Sequence, residues 1–379
     1  MTSVHRIVNT PRDYAWGIPG GISAALGWPA TDDRQAELWL GAHPGSPSRF
    51  AGTGPWTDLA EWERCTGVDL PFLLKVLAAE TPLSLQAHPT AAQARAGFER
   101  ENDEGVPLDA PWRNYKDPHA KPELIVALAD GFEALCGFRP LDESVRFVDG
   151  AIARATDGAA LGRWRDLLAG EDGLRRSVAW LLSGAREVRS LVDELERQAA
   201  LHPAELPLVR DLAGSYPGDP GIAVAQLLNH LTLSAGQCLW LPAGNIHAYR
   251  RGLGVELMGP SDNVLRGGLT PKHVDVAELL AVLDFTAGPT ALLDPVEVTP
   301  HLSTYRPPQA GFELFMATGD AAVVTQSPSI VMVLDGEFTL GGGAPTRLVR
   351  GESAFVPDPG RLSLTGSGHA VLASGSGSR

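Results

Sequence analysis

The spacing of apolar and polar positions changes twice along the chain. Over residues 1–135, short apolar runs alternate with turns rich in Gly and Pro. Phe72-Leu73-Leu74-Lys75-Val76-Leu77 and Glu123-Leu124-Ile125-Val126-Ala127-Leu128 have the length and composition of strands. From 140 to 215 the spacing becomes helical. Val188, Leu191, Val192 and Leu195 fall at i, i+3, i+4 and i+7, and Trp164, Leu167, Leu168 and then Val178, Leu181, Leu182 repeat that habit. Strand character returns at Gly236-Gln237-Cys238-Leu239-Trp240-Leu241 and dominates from about 290 onward. There, Ile330-Val331-Met332-Val333-Leu334 runs into Asp335-Gly336, a dipeptide with tight-turn chemistry. The final Ser374-Gly375-Ser376-Gly377-Ser378-Arg379 has the composition of a disordered tail. The pattern predicts a mainly β fold with an α-helical insertion.

One short stretch carries chemistry. In Leu83-Ser84-Leu85-Gln86-Ala87-His88-Pro89, strand alternation puts Ser84, Gln86 and His88 on one face and Leu83, Leu85 and Ala87 on the other. An amide oxygen and an imidazole on the polar face of an otherwise apolar strand form half of a metal site. Glu123, in Lys121-Pro122-Glu123, and His247, in Pro242-Ala243-Gly244-Asn245-Ile246-His247, can supply the other half. Imidazole and carboxylate from separate strands suit Zn, Mn, Fe or Ni. A divalent cation is also the partner that a buried carboxylate needs.

Composition narrows the partners. The 379 residues suffice for two or three domains. A formal net charge of −14 opposes nucleic acid and anionic membrane, so an anionic small molecule needs a local cationic pocket. No run approaches the ~18 apolar residues of a membrane span. Met1-Thr2-Ser3-Val4-His5-Arg6 leads into no apolar secretory segment, so the cytoplasm is expected. Cys65, Cys136 and Cys238 are far apart and lack CxxC spacing, which predicts buried small hydrophobes rather than disulfides or a thiolate metal site.

A short internal echo suggests the architecture. Gly236 is followed by Leu241-Pro242 and Gly244, and Gly351 by Val356-Pro357, with Pro359 where the second Gly would stand. Both stretches resemble the second motif of cupin jelly rolls, and the first copy alone keeps its histidine, His247. The resemblance implies two cupin-type jelly rolls plus a helical domain, with metal in the first roll. The expected division is 1–138 with 225–288 as a metal-binding cupin domain and 139–224 as the helical domain. A degenerate cupin-like domain at 289–373 and a tail at 374–379 complete it.

Wider matches identify the family. Tyr14-Ala15-Trp16-Gly17, Ala36-Glu37-Leu38-Trp39-Leu40-Gly41, Leu85-Gln86-Ala87-His88-Pro89 and Lys121-Pro122-Glu123-Leu124 occur in order. The run from Trp240 to Lys272 follows, with Val255-Glu256-Leu257-Met258 and Ser261-Asp262-Asn263-Val264-Leu265-Arg266-Gly267-Gly268 inside it. Together they closely resemble type I phosphomannose isomerases over about residues 7–275. The resemblance implies one zinc per chain held by Gln86, His88, Glu123 and His247, with Arg266 as the catalytic arginine. It places Lys121, Glu256 and Lys272 around the substrate, with Trp16, Ser84, Tyr249 and Asp262 as further pocket residues. Where relatives often read Asn-His-Lys-Pro-Glu, this chain reads His119-Ala120-Lys121-Pro122-Glu123, which displaces the histidine by one position.

The implied reaction interconverts mannose 6-phosphate and fructose 6-phosphate through an enediol in a monomeric enzyme. A metal polarises the carbonyl, and a base moves the proton between C2 and C1. Glu256 and Lys121 are the visible candidates for that base, with His88 and a zinc-bound water also open. Arg266 and Lys272, six apart in a Gly-rich stretch, suit one phosphate, although Arg266 could instead serve the enediolate. Gly267 and Gly268 would let backbone approach the ligand, and Asp262-Asn263 suits an Asx turn. Trp39 reads as packing, the helices of 140–215 as flanking structure, and His43, His202, His230, His273 and His301 receive no role. The competing reading is a non-catalytic cupin that binds sugar phosphates, which would have lost Arg266 or Lys121. An iron cupin oxygenase fits an amide ligand poorly.

Overall fold

In this computed structural model, which describes residues 3–52, 54–290, 292–342 and 344–376, the apolar runs form strands of two large sheets, many of them buried along their whole length. Among the described residues one sheet has nine strands and the other ten. The long strand His247–Met258 organises the first. It pairs antiparallel with Leu73–Ala79, Glu123–Ala127 and Phe132–Phe138, and His247 stands opposite Gln86 of the short strand Gln86–Ala87. The second sheet is built mainly from residues 296–375, around the paired strands Ser329–Gly341 and Gly360–Gly375.

The sheets pack face to face. Leu74, Val76, Leu124, Val126, Val255 and Leu257 of the first meet Ile330, Met332, Phe355 and Val371 of the second in one buried cluster. This apolar layer explains why the strand runs around Val76 and Val126 carry so few polar residues. The helical stretch holds Leu141–Arg154, Ala159–Ala169, Gly173–Leu181, Arg186–Leu201 and Pro207–Ser215. Its apolar stripes pack on Leu85, Ala87, Leu135, Phe138 and Leu265 from the first sheet. Leu85 and Ala87 therefore face helices, and the intervening Gln86 faces the opposite way. The result is mainly β with a helical insertion, as the spacing implied.

The echo has a structural counterpart. Gly236 and Gly351 both adopt φ 81°, and each precedes a four-residue strand, Cys238–Leu241 and Ser353–Val356. Four expectations change. The strand His5–Val8 pairs with Ser353–Val356, so the chain's beginning completes the second sheet rather than the first. Asp335-Gly336 makes no hairpin turn. The strand Ser329–Gly341 runs through it with a register shift between Val333 and Asp335, and Gly336 takes φ 70° there. The turn chemistry is spent on a bulge. Ser374 and Gly375 belong to a strand rather than a tail, because Ser374 lies between Glu313 and Ser329, which satisfy its backbone; residues 377–379 lie outside the described residues. Cys136 and Cys238 are buried, but Cys65 is exposed, since it lies on the solvent side of the amphipathic helix Leu59–Thr66.

Candidate metal centre and catalytic cavity

A change of face within a single strand builds the site. In His247–Met258, pairing with Phe132–Phe138 shifts register between Tyr249 and Arg251. The extra residue inverts the alternation. His247 and Tyr249 point to the inner side before it, and Glu256 and Met258 after it, leaving Val255 and Leu257 for the core between the sheets. An unbroken strand would send the two pairs to opposite faces. Gly252 makes the kink possible. It holds φ 127°, and a Cβ there would lie 2.7 Å from the Phe132 ring.

The inner face opens on a cavity of about 790 Å³. Ten of the twelve anticipated residues line it: Trp16, Ser84, Gln86, Lys121, Glu123 and Tyr249, with Glu256, Asp262, Arg266 and Lys272. The other two, His88 and His247, lie beside Glu123, and one ligand atom from each of these three falls within 4.8 Å of the others. Leu83 departs from the simple alternation and joins the cavity wall, because regular pairing begins only at Gln86.

The chemistry of this trio calls for a cation. His88 Nδ1 donates to the Asn263 carbonyl at 2.7 Å, and His247 Nδ1 to the Asn245 carbonyl at 3.1 Å. Each neutral ring then presents a bare Nε2 lone pair. Those atoms lie 3.4 and 3.2 Å from the two carboxylate oxygens of Glu123, so acceptors face acceptors. His88 Nε2, His247 Nε2 and Glu123 Oε2 are buried with no hydrogen-bond partner. Burial pushes the His88 imidazole down to about 4, so protonation of His88 does not relieve the conflict at neutral pH. Burial also opposes ionisation of Glu123, but the positive charge close by, that of Lys121 foremost, outweighs it and holds the carboxyl well below its usual range. Lys121 Nζ stands 3.0 Å from Glu123 Oε1. A divalent ion fits this donor set. Gln86 is the strand neighbour of His247 on one side and of Arg266 on the other, which puts its amide on the same face.

A second buried cluster was not anticipated. Lys75 Nζ sits 3.3 Å from Glu37 Oε1 and 3.1 Å from Glu256 Oε2. Trp39 Nε1 donates to Glu37 Oε2 at 2.9 Å, and the ammonium lies over the Trp39 ring. Burial raises the Glu256 pKa, opposed by Lys75 and reinforced by Glu123 and Glu37. The sequence signal was a lysine and a glutamate interrupting apolar strand runs, at Lys75 and Glu37. Trp39, expected as packing, lines the cavity as well. Tyr249 has its hydroxyl pKa raised well above its usual range, by burial first and then by Glu256.

Arg266 and Lys272 stand apart from these pairs. Among the described residues neither has a carboxylate within salt-bridge distance, and burial together with Arg266 lowers the Lys272 pKa. Two neighbouring cations without acids make a seat for an anion. Gly267 and Gly268 are not among the residues that line the cavity. A Cβ on Gly267 would meet Ile246 and Leu279, and one on Gly268 would meet Gly221, so both glycines serve packing. Asp262 and Asn263 do more than turn the chain. Asp262 accepts from His43 Nε2 at 3.1 Å, which holds its carboxyl below the usual range. Asn263 Nδ2 reaches the Asp117 and His119 carbonyls at 2.8 and 2.9 Å while its own carbonyl orients His88. His43, left without a role, orients Asp262, while His119 is exposed.

Comparisons with known proteins agree with this arrangement. Residues 4–141 match the family model described as phosphomannose isomerase type I, catalytic domain. The mannose-6-phosphate isomerase of Escherichia coli (strain K12) is 34% identical over 98% of this chain and 98% of its own length. That of Rattus norvegicus is 32% identical over 86% of both. A crystal structure of a phosphomannose isomerase mutant from Salmonella typhimurium aligns with a TM-score of 0.89 at 31% identity, covering 98% of this chain and 99% of that one. A zinc-bound mannose 6-phosphate isomerase aligns with a TM-score of 0.88 at 31% identity and the same coverage.

Proposed function

We propose residue roles from one premise: this chain belongs to the type I phosphomannose isomerase family, and it is a zinc-dependent isomerase interconverting mannose 6-phosphate and fructose 6-phosphate. The observation that carries the roles is the trio of buried, unpartnered acceptors on His88, Glu123 and His247 at the floor of a cavity that also holds two unneutralised cations. Gln86, His88, Glu123 and His247 would hold the metal. Zinc, when bound, supplies a Lewis acid for the sugar carbonyl and its neighbouring hydroxyl.

Glu256 is our choice of proton carrier over Lys121. Its carboxyl is buried with a raised pKa, whereas the Lys121 ammonium is committed to Glu123 at 3.0 Å. In this reading the Glu256 carboxylate takes the C2 proton of the open-chain aldose. The C–H electron pair becomes the C1–C2 double bond, and the carbonyl oxygen takes up the charge. The proton returns at C1 as the C2 hydroxyl passes its own proton to the C1 oxygen and becomes the carbonyl, leaving the ketose. Lys121 keeps a positive charge beside the forming enediolate. Arg266 and Lys272 receive the phosphate, with Arg266 on the side nearer the metal ligands by its pairing with Gln86. Trp16, Ser84, Tyr249 and Asp262 form the walls that orient the sugar.

Among the described residues no helix is long and apolar enough to cross a membrane. We read the enzyme as a cytoplasmic monomer. Its division is 1–138 with 225–288, 139–224 and 289–373, amended by the strands His5–Val8 and Arg49–Phe50, which serve the C-terminal sheet, and by Ser374 and Gly375, which end its last strand. The test is a coupled isomerase assay on chelated and zinc-restored protein. Activity should vanish on complete metal removal and return with zinc. Full turnover by metal-free protein would overturn the assignment.

A further inference from the structure

The segment bearing Arg266 and Lys272 has a shape its own residues do not favour. Leu269, fully buried, holds φ 54°, the left-handed region that side chains with a Cβ seldom adopt. Gly268, before it, holds φ 114°. Such a conformation persists where neighbouring structure imposes it. The neighbour here is the turn that follows the helix Pro207–Ser215.

Asp219 in that turn grips the segment by its backbone. Its Oδ1 accepts from Leu269 N at 2.9 Å as well as from Gly221 N at 2.7 Å, and its Oδ2 accepts from Thr270 N at 3.1 Å. The two backbones touch. A Cβ on Gly268 would lie 2.6 Å from Gly221 Cα, and a Cβ on Gly221 would lie 2.6 Å from Leu269 N. The hold passes onward, because Thr270 Oγ1 accepts from Lys272 N at 3.1 Å. The same turn is also anchored to the segment beside it, which leads into Gln86–Ala87: the Tyr216 hydroxyl donates to the Pro82 carbonyl at 2.8 Å. Tyr216, Thr270 and Lys272 all line the cavity.

We infer that Asp219 is the positioning residue for the Arg266–Lys272 cation pair, so that the helical insertion sets the affinity of the site for the substrate's phosphate. The inference rests on reading those two cations as the phosphate seat. Asp219 touches no substrate. It fixes where the two side chains emerge, and a flexible segment would spread them over many positions before binding.

The test uses full-length, zinc-loaded enzyme and the variants Asp219→Ala and Asp219→Asn. Three quantities are read: the KM for mannose 6-phosphate, the competitive inhibition constant of inorganic phosphate, and kcat, alongside zinc content. Asp219→Ala should raise KM and the phosphate inhibition constant together by about tenfold, with kcat within about twofold, the signature of lost ground-state binding. Zinc should stay at one per chain. Asp219→Asn, which keeps one acceptor oxygen but turns an NH2 toward a backbone N–H, should give a smaller rise in the same two constants. It carries the test if the alanine variant does not fold. A lowered melting temperature with both constants unchanged would make Asp219 a structural pin and overturn the inference. Loss of zinc with kcat falling in step would overturn it too. Failure of the phosphate reading would look different: inorganic phosphate would not compete even in the unsubstituted enzyme.

Discussion

Replacing Lys75 by methionine keeps the aliphatic stem and removes the ammonium that separates two buried carboxylates. Nζ lies 3.3 Å from Glu37 Oε1 and 3.1 Å from Glu256 Oε2, and all three side chains are nearly excluded from solvent. Burial works against the Lys75 charge, but Glu37 and Glu256 outweigh it and raise its pKa. On Glu256 the balance is reversed. Burial raises the pKa, Glu123 and Glu37 add to the rise, and Lys75 opposes it. Stripping one partner from a buried ion pair costs about 3–5 kcal/mol. Without Lys75, burial, Glu123 and Glu37 act on Glu256 with less opposition, so its pKa rises further. A larger fraction of the proton carrier is then protonated at a given pH. The acid limb of the kcat/KM profile should move alkaline, with activity recovering as pH is raised. Stability moves the other way. A carboxyl whose folded pKa is raised binds a proton that the unfolded chain releases, so the variant's deficit is smallest in acid and grows as pH rises through the folded value. Urea unfolding of zinc-saturated enzyme at pH 6 and 8.5, beside a pH–rate profile, reads both effects. An unmoved acid limb together with a pH-independent deficit below about 1 kcal/mol would refute the reasoning.

Three other outcomes are expected. In chelated enzyme, burial holds His88 at about 4 against an ordinary 6.5, which is worth ~3 kcal/mol of stability above pH 6.5, lost as pH falls toward 4. The melting temperature of chelated protein should decline over that range, and a flat profile would contradict the assignment. Gly252→Ala forces a Cβ to 2.7 Å from the Phe132 ring at φ 127°, so it should cost about 2 kcal/mol or more and lower zinc content, measured by metal analysis after gel filtration. Arg266→Lys keeps the charge but loses the fork. Its kcat/KM should fall about tenfold with zinc unchanged, and an undiminished rate would remove Arg266 from the chemistry.

The sequence disclosed the donors better than the framework that aims them. Gln86 and His88 were visible because a polar pair interrupts an apolar strand, and both face the site. Lys75 and Glu37 interrupt strands in the same way, yet each alone reads as an isolated charge. Their meaning lies in the pairing of Leu73–Ala79 with Glu37–Leu40 and His247–Met258, which spans nearly two hundred residues of sequence. The bulge at Arg250 escaped notice because it inserts one residue without punctuation in the pattern beyond Gly252. Local turn chemistry also misled. Asp335-Gly336 carries hairpin chemistry and makes a bulge, and Ser374 has a tail's composition inside a central strand. In both cases neighbours supplied by tertiary structure overrode a local preference.

Charge placement explains how a chain of net charge −14 can receive a dianion. Two cations of the cavity are already satisfied: Lys75 by Glu37 and Glu256, and Lys121 by Glu123. They hold carboxylates in place near the metal ligands and leave little field for a distant anion. Arg266 and Lys272 belong to the stretch pinned by Asp219, and that aspartate spends its oxygens on backbone N–H groups rather than on the cations beside it. Had Asp219 faced either cation, it would have neutralised the seat it shapes. The acid is thus close enough to fix the geometry and oriented so as not to quench the charge. An acidic surface elsewhere does not oppose this arrangement strongly, because charges beyond ~8–10 Å are screened at physiological salt, while two cations flanking one phosphate act at contact.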